Sequence, residues 1–230
     1  MQKIIVTLFR YTLMNMILQI TETPSELSIA ALLMKGGIVM VPIVLLSLAT
    51  FYLLIERYLY IRSATKGRKD LMSHITRFLH HGDIKSAKLY ADQDSSATGK
   101  IILSGLEHVG KPIKEIETMM ESATNIEIAE MEKNMGYLGI IAGIAPMLGF
   151  IGTISGIIRI FYNISLSDNI SIGIIAGGLY EKMITSGSGL IVGVIAYTAY
   201  HFLQQKVNRF SLRIQKDVFE FMRSILSPAS

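Results

Sequence analysis

The chain has 230 residues, of which half are hydrophobic and only 17% charged. Soluble domains carry nearer a quarter charged residues, so this composition and a positive mean hydropathy point to a membrane protein. With no cysteine there is neither a disulfide framework nor a thiolate metal site. The net charge of +4 does not call for nucleic acid, because the basic residues bracket hydrophobic stretches as membrane-topology signals do.

Residues 1–35 are mixed in character: Lys3 and Arg10 interrupt Ile4, Ile5, Leu8, Leu13 and Ile17. A cleaved signal needs an unbroken apolar core, which Arg10 spoils, so an amphipathic helix on the membrane surface is expected. Thr23-Pro24-Ser25-Glu26 reads as a helix start. The first transmembrane helix is expected over 36–56, its uncharged heart running 37–55, enough at about 1.5 Å per residue to cross a hydrocarbon core of about 30 Å. Pro42 is tolerated there because neighbours or water can satisfy the carbonyl it frees. Arg57, Arg62, Lys66, Arg68 and Lys69 follow and mark the cytoplasmic side.

Residues 57–135 are expected to form a cytoplasmic helical domain. Leu71, Ile75, Phe78 and Leu79 keep helical spacing, Gly82 stops that helix and Asp83 caps the next. A polar linker at 92–99 precedes a helix over 101–108 that ends near Gly110, and Lys111-Pro112 opens a long helical run. With no glycine or proline between 113 and 135, that run is expected to continue into the second span, 136–162, as one helix of about fifty residues and about 75 Å. The second span carries the small-xxx-small pairs Gly139/Gly143 and Gly152/Gly156, suited to close helix contact, and Arg159 near its far end, where it can snorkel.

The loop 163–170 has Asp168 but no Lys or Arg, which places it outside. The third span, 171–203, then returns inward to a cytoplasmic C-terminal helix, 204–230, with Lys206, Arg209, Arg213 and Lys216. The expected fold is thus an all-α membrane protein with three transmembrane helices, N-terminus outside and C-terminus cytoplasmic. Three helices cannot enclose an ion path alone, so an oligomer is expected.

The third span contains the wrong residues for a lipid-facing helix. Glu181 and Lys182 sit within an apolar run, and ionisable groups at bilayer depth cost several kcal/mol, so they face a bundle interior or a wet cavity. Thr185 lies four residues from Glu181 and therefore on the same helix face. Each candidate has a plainer rival: Glu181 as the ion-pair partner of Lys182 or Arg159, Thr153 as a hydroxyl bonding back to its own helix, Ser155 and Ser188 as packing residues. The five histidines show no metal-ligand grouping. No P-loop, G-x-S-x-G or H-E-x-x-H is present, so an enzyme is not expected, nor a cofactor. A secondary transporter would need inverted repeats and more spans.

The stretch Ala145-Pro146-Met147-Leu148-Gly149-Phe150-Ile151-Gly152-Thr153-Ile154-Ser155-Gly156, followed by Phe161, is similar to the APxxGLxGTVxGxxxxF signature of the MotA/TolQ/ExbB proton-channel family. Glu181-Lys182-Met183-Ile184-Thr185-Ser186-Gly187-Ser188-Gly189-Leu190 resembles the EALxxTAxGL signature of its third span, and Gly82-Asp83-Ile84-Lys85-Ser86-Ala87 matches weakly. The resemblance covers roughly 37–208, and in chain length is closer to ExbB than to MotA. It implies a bacterial inner-membrane homopentamer around a dimer of a single-span ExbD/TolR-like partner, using the proton-motive force to work on a TonB-like protein. By position it implies polar pore-facing roles for Thr153, Glu181 and Ser186, with Thr185 beside them, and helix packing by Pro146, Gly149, Gly152, Gly156 and Gly189. Lys182 stands where the family usually has a small residue, and Ser186 replaces the usual threonine.

Overall fold

The computed structural model describes residues 37–68, 70–166 and 172–226, without the side chains of Ile174 and Glu181. The N-terminal segment with its expected surface helix, and Asp168 of the outer loop, lie outside the described residues. Seven helices follow one another among those described: α1 (Met40–Ala64), α2 (Leu71–His80), α3 (Ile84–Asp92), α4 (Ala97–Glu107), α5 (Ile113–Glu132), α6 (Met135–Ser165) and α7 (Ile172–Leu226). No strand occurs among the described residues.

Three helical runs are long and apolar enough to cross a membrane, with α1, α6 and α7 supplying the apolar part of each. Their outward surfaces say the same. Along α1 and the turn before it, Ile38, Val41, Leu45, Leu48, Tyr52, Ile55 and Leu59 recur at intervals of three and four, all exposed. On α6 the exposed series runs Tyr137, Ile140, Ile144, Met147, Ile151, Ile154, Ile158 and Phe161. Apolar stripes of that length are stable only against lipid or another protein.

The chain divides into two compact units, one of residues 1–41 and 149–187 and the other of 42–148 and 188–230. The larger unit owes its core to α2–α5 with the C-terminal parts of α1 and α7: Ile61, Ile75, Ile101, Leu106, Met120, Ile214 and Phe221 are all buried. Gly105 lies where Met120 and Phe221 converge, since a β-carbon there would stand 2.6 Å from Met120 Sδ and 2.8 Å from Phe221 Cε1. Local chemistry sets the helix ends. Gly82 takes φ +70 after α2, and the Asp83 carboxylate accepts from the Ser86 N–H at 3.0 Å, as the sequence predicts. Helix α4 begins at Ala97, earlier than expected, because the Ser96 hydroxyl accepts from the Gly99 N–H at 3.2 Å and caps it.

Asp94 ties the loops of this unit together. Its carboxylate accepts from the Arg68 N–H at 2.9 Å and from the Ser96 N–H at 2.9 Å. Burial alone would raise this carboxyl, but those two backbone donors, with the Ser96 hydroxyl and the Arg68 charge, outweigh it and hold it below the ordinary carboxylate value.

One expectation is corrected: no single helix runs from 113 to 162. Helix α5 ends at Glu132, and Lys133 and Asn134 form a turn before α6 starts at Met135. Asn134 takes φ +64, the left-handed region that asparagine enters more readily than other non-glycine residues. The break leaves carbonyls at the end of α5 without helical partners. Arg57, only 6% exposed, donates from Nη1 to the Glu130 carbonyl at 3.0 Å, and Gln204 Nε2 donates to the Glu132 carboxylate at 2.7 Å. The long unbroken helix is instead α7, 55 residues and about 80 Å. It runs without a break through the boundary expected at 203/204.

Candidate functional site

The C-terminal part of α6 and the N-terminal part of α7 pack within the smaller unit. Glycines on α6 meet α7 backbone and side chain directly: a β-carbon at Gly149 would stand 3.0 Å from the Ser186 Cα and carbonyl, and one at Gly152 would stand 2.8 Å from Thr185 Cγ2. Nearer the start of α7 a β-carbon at Gly178 would stand 2.8 Å from Ile160. Contacts this close need the missing β-carbons.

Thr153 sits in this seam. Its Oγ1 lies 3.1 Å from the Gly149 carbonyl of its own helix and 3.1 Å from the Lys182 carbonyl of α7. A hydroxyl has one proton, so it donates to one of the two at a time and keeps lone pairs to accept with. The bond back to its own helix and a bond across to α7 are thus both within reach. Thr185 is fully buried with its methyl against Gly152, and Ser186, one residue on, is half-buried. Ser155 is exposed and donates to the Gly152 carbonyl at 3.0 Å, a bond within its own helix. Ser188 is half-buried.

Lys182 lays its stem across Gly156, so that a β-carbon there would fall 2.1 Å from Lys182 Cγ, and its Nζ comes within 3.6 Å of a β-carbon at Gly37, ahead of α1. The Glu181 side chain lies outside the described residues; its backbone belongs to α7. Arg159 is exposed. No group of three or more His, Cys, Asp or Glu positioned for a metal occurs among the described residues.

Within the larger unit Pro146 stays inside α6. Its ring lies against Gly193, where a β-carbon would stand 2.5 Å from Pro146 Cγ and 3.1 Å from the Ala142 carbonyl, the acceptor that proline leaves without its helical donor. Gly189 is buried. By contrast, a β-carbon on Gly136, Gly139 or Gly143 would meet nothing within 4 Å.

The arrangement brings Thr153, Thr185 and Ser186 to one stretch of the α6–α7 seam, hydroxyls and a backbone carbonyl in apolar surroundings. Such a patch can lower the barrier for a proton or a protonatable side chain passing beside it. Sequence reasoning missed the Lys182 carbonyl, because every residue has one and no residue type signals which is used. It also missed Gly193 and treated Arg57 only as a topology marker; nothing local in the sequence signals that Arg57 caps a helix end.

The family model for the MotA/TolQ/ExbB proton channel family matches residues 93–216. A Methanothermobacter thermautotrophicus protein named as a biopolymer transport protein ExbB homolog is 26% identical over 76% of this chain and 62% of its own length, so the chain spans about three fifths of that relative. The Haemophilus influenzae Tol-Pal system protein TolQ is 27% identical over 80% of the chain and 87% of its own length. The biopolymer transport protein ExbB of Neisseria meningitidis serogroup A is 25% identical over 73% and 81%.

Proposed function

The chain belongs to the MotA/TolQ/ExbB proton channel family, and from that premise we propose that it is an ExbB-like subunit of a proton-driven motor in a bacterial inner membrane. In this reading five copies form a ring around a dimer of a single-span ExbD/TolR-like protein, with the N-terminus periplasmic and the C-terminus cytoplasmic. Proton flow along the ring's inner wall drives mechanical work on a TonB-like protein for transport across the outer membrane. The observation that carries the reading is the Thr153 hydroxyl, within reach of the Lys182 carbonyl across the α6–α7 seam and beside Thr185 and Ser186.

A proton crossing 100 mV releases about 2.3 kcal/mol, so a path that couples this to motion cannot hold barriers far above that scale. Hydroxyls that both donate and accept solvate a partner's carboxyl in either protonation state. Glu181, on the same helix, sets the field that decides when that carboxyl is charged. The likeness to TolQ supports a second reading of the same machinery, a motor that maintains the cell envelope.

Thr153→Val keeps the shape and removes the hydroxyl. It is expected to abolish energised uptake in a deletion strain while the protein still co-purifies with its partner, as is Glu181→Ala; Ser188→Ala is expected to be near silent. Full uptake by both variants would leave a non-conducting scaffold as the reading. Native mass spectrometry showing only monomer or dimer would refute the ring.

A further inference from the structure

Where α1 and α7 leave the apolar zone, a cleft of about 270 Å³ opens between them. Four cations line it, Arg62 from α1 and Lys206, Arg209 and Arg213 from α7, over a floor of Ile61 and Phe210. Both floor residues are buried. Positions 206, 209 and 213 share one helix face by their spacing. None of the four cations makes an ion pair among the described residues, and no carboxylate lines the cleft. The nearest acid along α7, Asp217, lines a separate cleft with Arg68 and Arg213, and Glu56 is engaged by Arg57.

The positive-inside rule accounts for basic residues near the ends of both spans. It does not require that they converge on one cavity, nor that they be held there. Arg213 Nη2 donates to the Thr65 carbonyl at 3.3 Å, and the Lys206 ammonium stands 4.9 Å from the Tyr58 ring and 5.1 Å from the Phe202 ring. These contacts fix two of the four cations; Arg213 also feels the Asp217 carboxylate one helical turn on, while Arg62, Lys206 and Arg209 face no acid in the cleft.

We propose that this cleft binds the phosphate of an anionic phospholipid of the cytoplasmic leaflet. Guanidinium forks match phosphate oxygens in pairs, and basic pockets between spanning helices at the cytoplasmic surface suit lipid headgroups. Arg62 stands seven residues past Ile55, the last residue of the uncharged stretch. That is about 10 Å along the helix, just beyond a headgroup layer of about 5–8 Å on each side, within reach of a phosphate for a long guanidinium side chain. Phe202 and Leu59, exposed on the membrane side of the cleft, offer apolar surface to the start of the acyl chains. A soluble phosphate would find the same cations but no use for that surface, and the inference does not depend on the proton-path reading.

The test uses the full chain, delipidated in neutral detergent, with bound lipid counted by native mass spectrometry. Phosphatidylglycerol is expected to be retained and phosphatidylcholine not. Each cation removed near a membrane surface weakens anionic-lipid binding about fivefold. Arg62→Gln/Arg209→Gln/Arg213→Gln should therefore weaken phosphatidylglycerol binding on the order of a hundredfold. Arg209→Gln alone, a change at an exposed side chain, should weaken it about fivefold and guards against misfolding of the triple variant. Lys85→Gln/Lys88→Gln/Lys114→Gln, an equal charge loss elsewhere, should leave it unchanged. Equal retention of both lipids, or equal loss in the two triple variants, would overturn the proposal. Displacement of the lipid by millimolar glycerol phosphate would assign the cleft to a soluble phosphate and overturn its membrane source.

Discussion

The charged helical module around α2–α5 and the glycine-rich α6–α7 pair are both helix packings, yet they are built from opposite materials. In the module large side chains such as Ile101, Leu106, Met120 and Phe221 are wholly buried, and the helix ends are capped by Asp83 and Ser96. In the pair, glycines 149, 152 and 156 bring one helix against the other, while large residues such as Phe150, Ile154 and Met183 point away. Water rewards burial of apolar area, so bulk goes inward there. Lipid is as apolar as leucine, so only closeness and polar contact favour association, and the small residues go inward.

Substitutions that remove bulk should therefore hurt the module, and substitutions that add it should hurt the pair. The largest effect is expected from Phe221→Ala, which empties the module's core at a cost of about 3–5 kcal/mol; a thermal midpoint in detergent unchanged from wild type would contradict it. Gly152→Val drives a side chain into Thr185 and Val39 and is expected to cost about 1–3 kcal/mol. Its signature is lost hydrogen-exchange protection along 150–160 and 180–187, with the module still protected.

Asp94→Asn comes next, at about 1–2 kcal/mol near neutral pH, since two backbone donors lose a charged acceptor. The Asp94 carboxyl is held below its ordinary value when folded, so its contribution is complete above the unfolded value of about 3.9. It fades as pH falls through the lower folded one. The gap between variant and wild-type midpoints should be constant from pH 7 to about 5 and close below about 4; a gap that widened on acidification would reverse the assignment. The smallest effect is expected from Gly139→Ala, which meets nothing within 4 Å and should stay within about 0.5 kcal/mol. A weakened ring in that variant, with an unchanged midpoint, would place the open glycines at a contact between subunits.

What could be read in the sequence was what is local or repeated. The three spans follow from run length, and Gly82, Asp83 and Gly110 mark their turns because φ above zero and side-chain capping belong to residue types. The turn at Asn134 was half legible: asparagine is a residue type that takes φ above zero, but the Arg57 side chain that caps a carbonyl 73 positions away in sequence leaves no local mark. Thr153 was marked by its motif, but the Lys182 carbonyl it reaches has no side-chain signature. Nothing in the glycine pattern alone separates Gly149, Gly152 and Gly156, which meet α7, from Gly136, Gly139 and Gly143, which meet nothing within 4 Å.

The lysine stem lying over Gly156 makes two positions answer to each other. An alanine at 156 would place its methyl among Lys182 Cγ, Cδ and Cε, forcing the lysine into another rotamer and withdrawing its ammonium from the start of α1. The same alanine beside a short residue at 182 would meet no stem at all. The effect of changing 156 is thus conditional on 182, and a double-mutant cycle should return a coupling of roughly 0.5–3 kcal/mol. The family signature keeps glycine at the position of 156 even where a small residue stands at 182, so the cycle isolates the part of that constraint which Lys182 adds: an epistatic term written by one side chain.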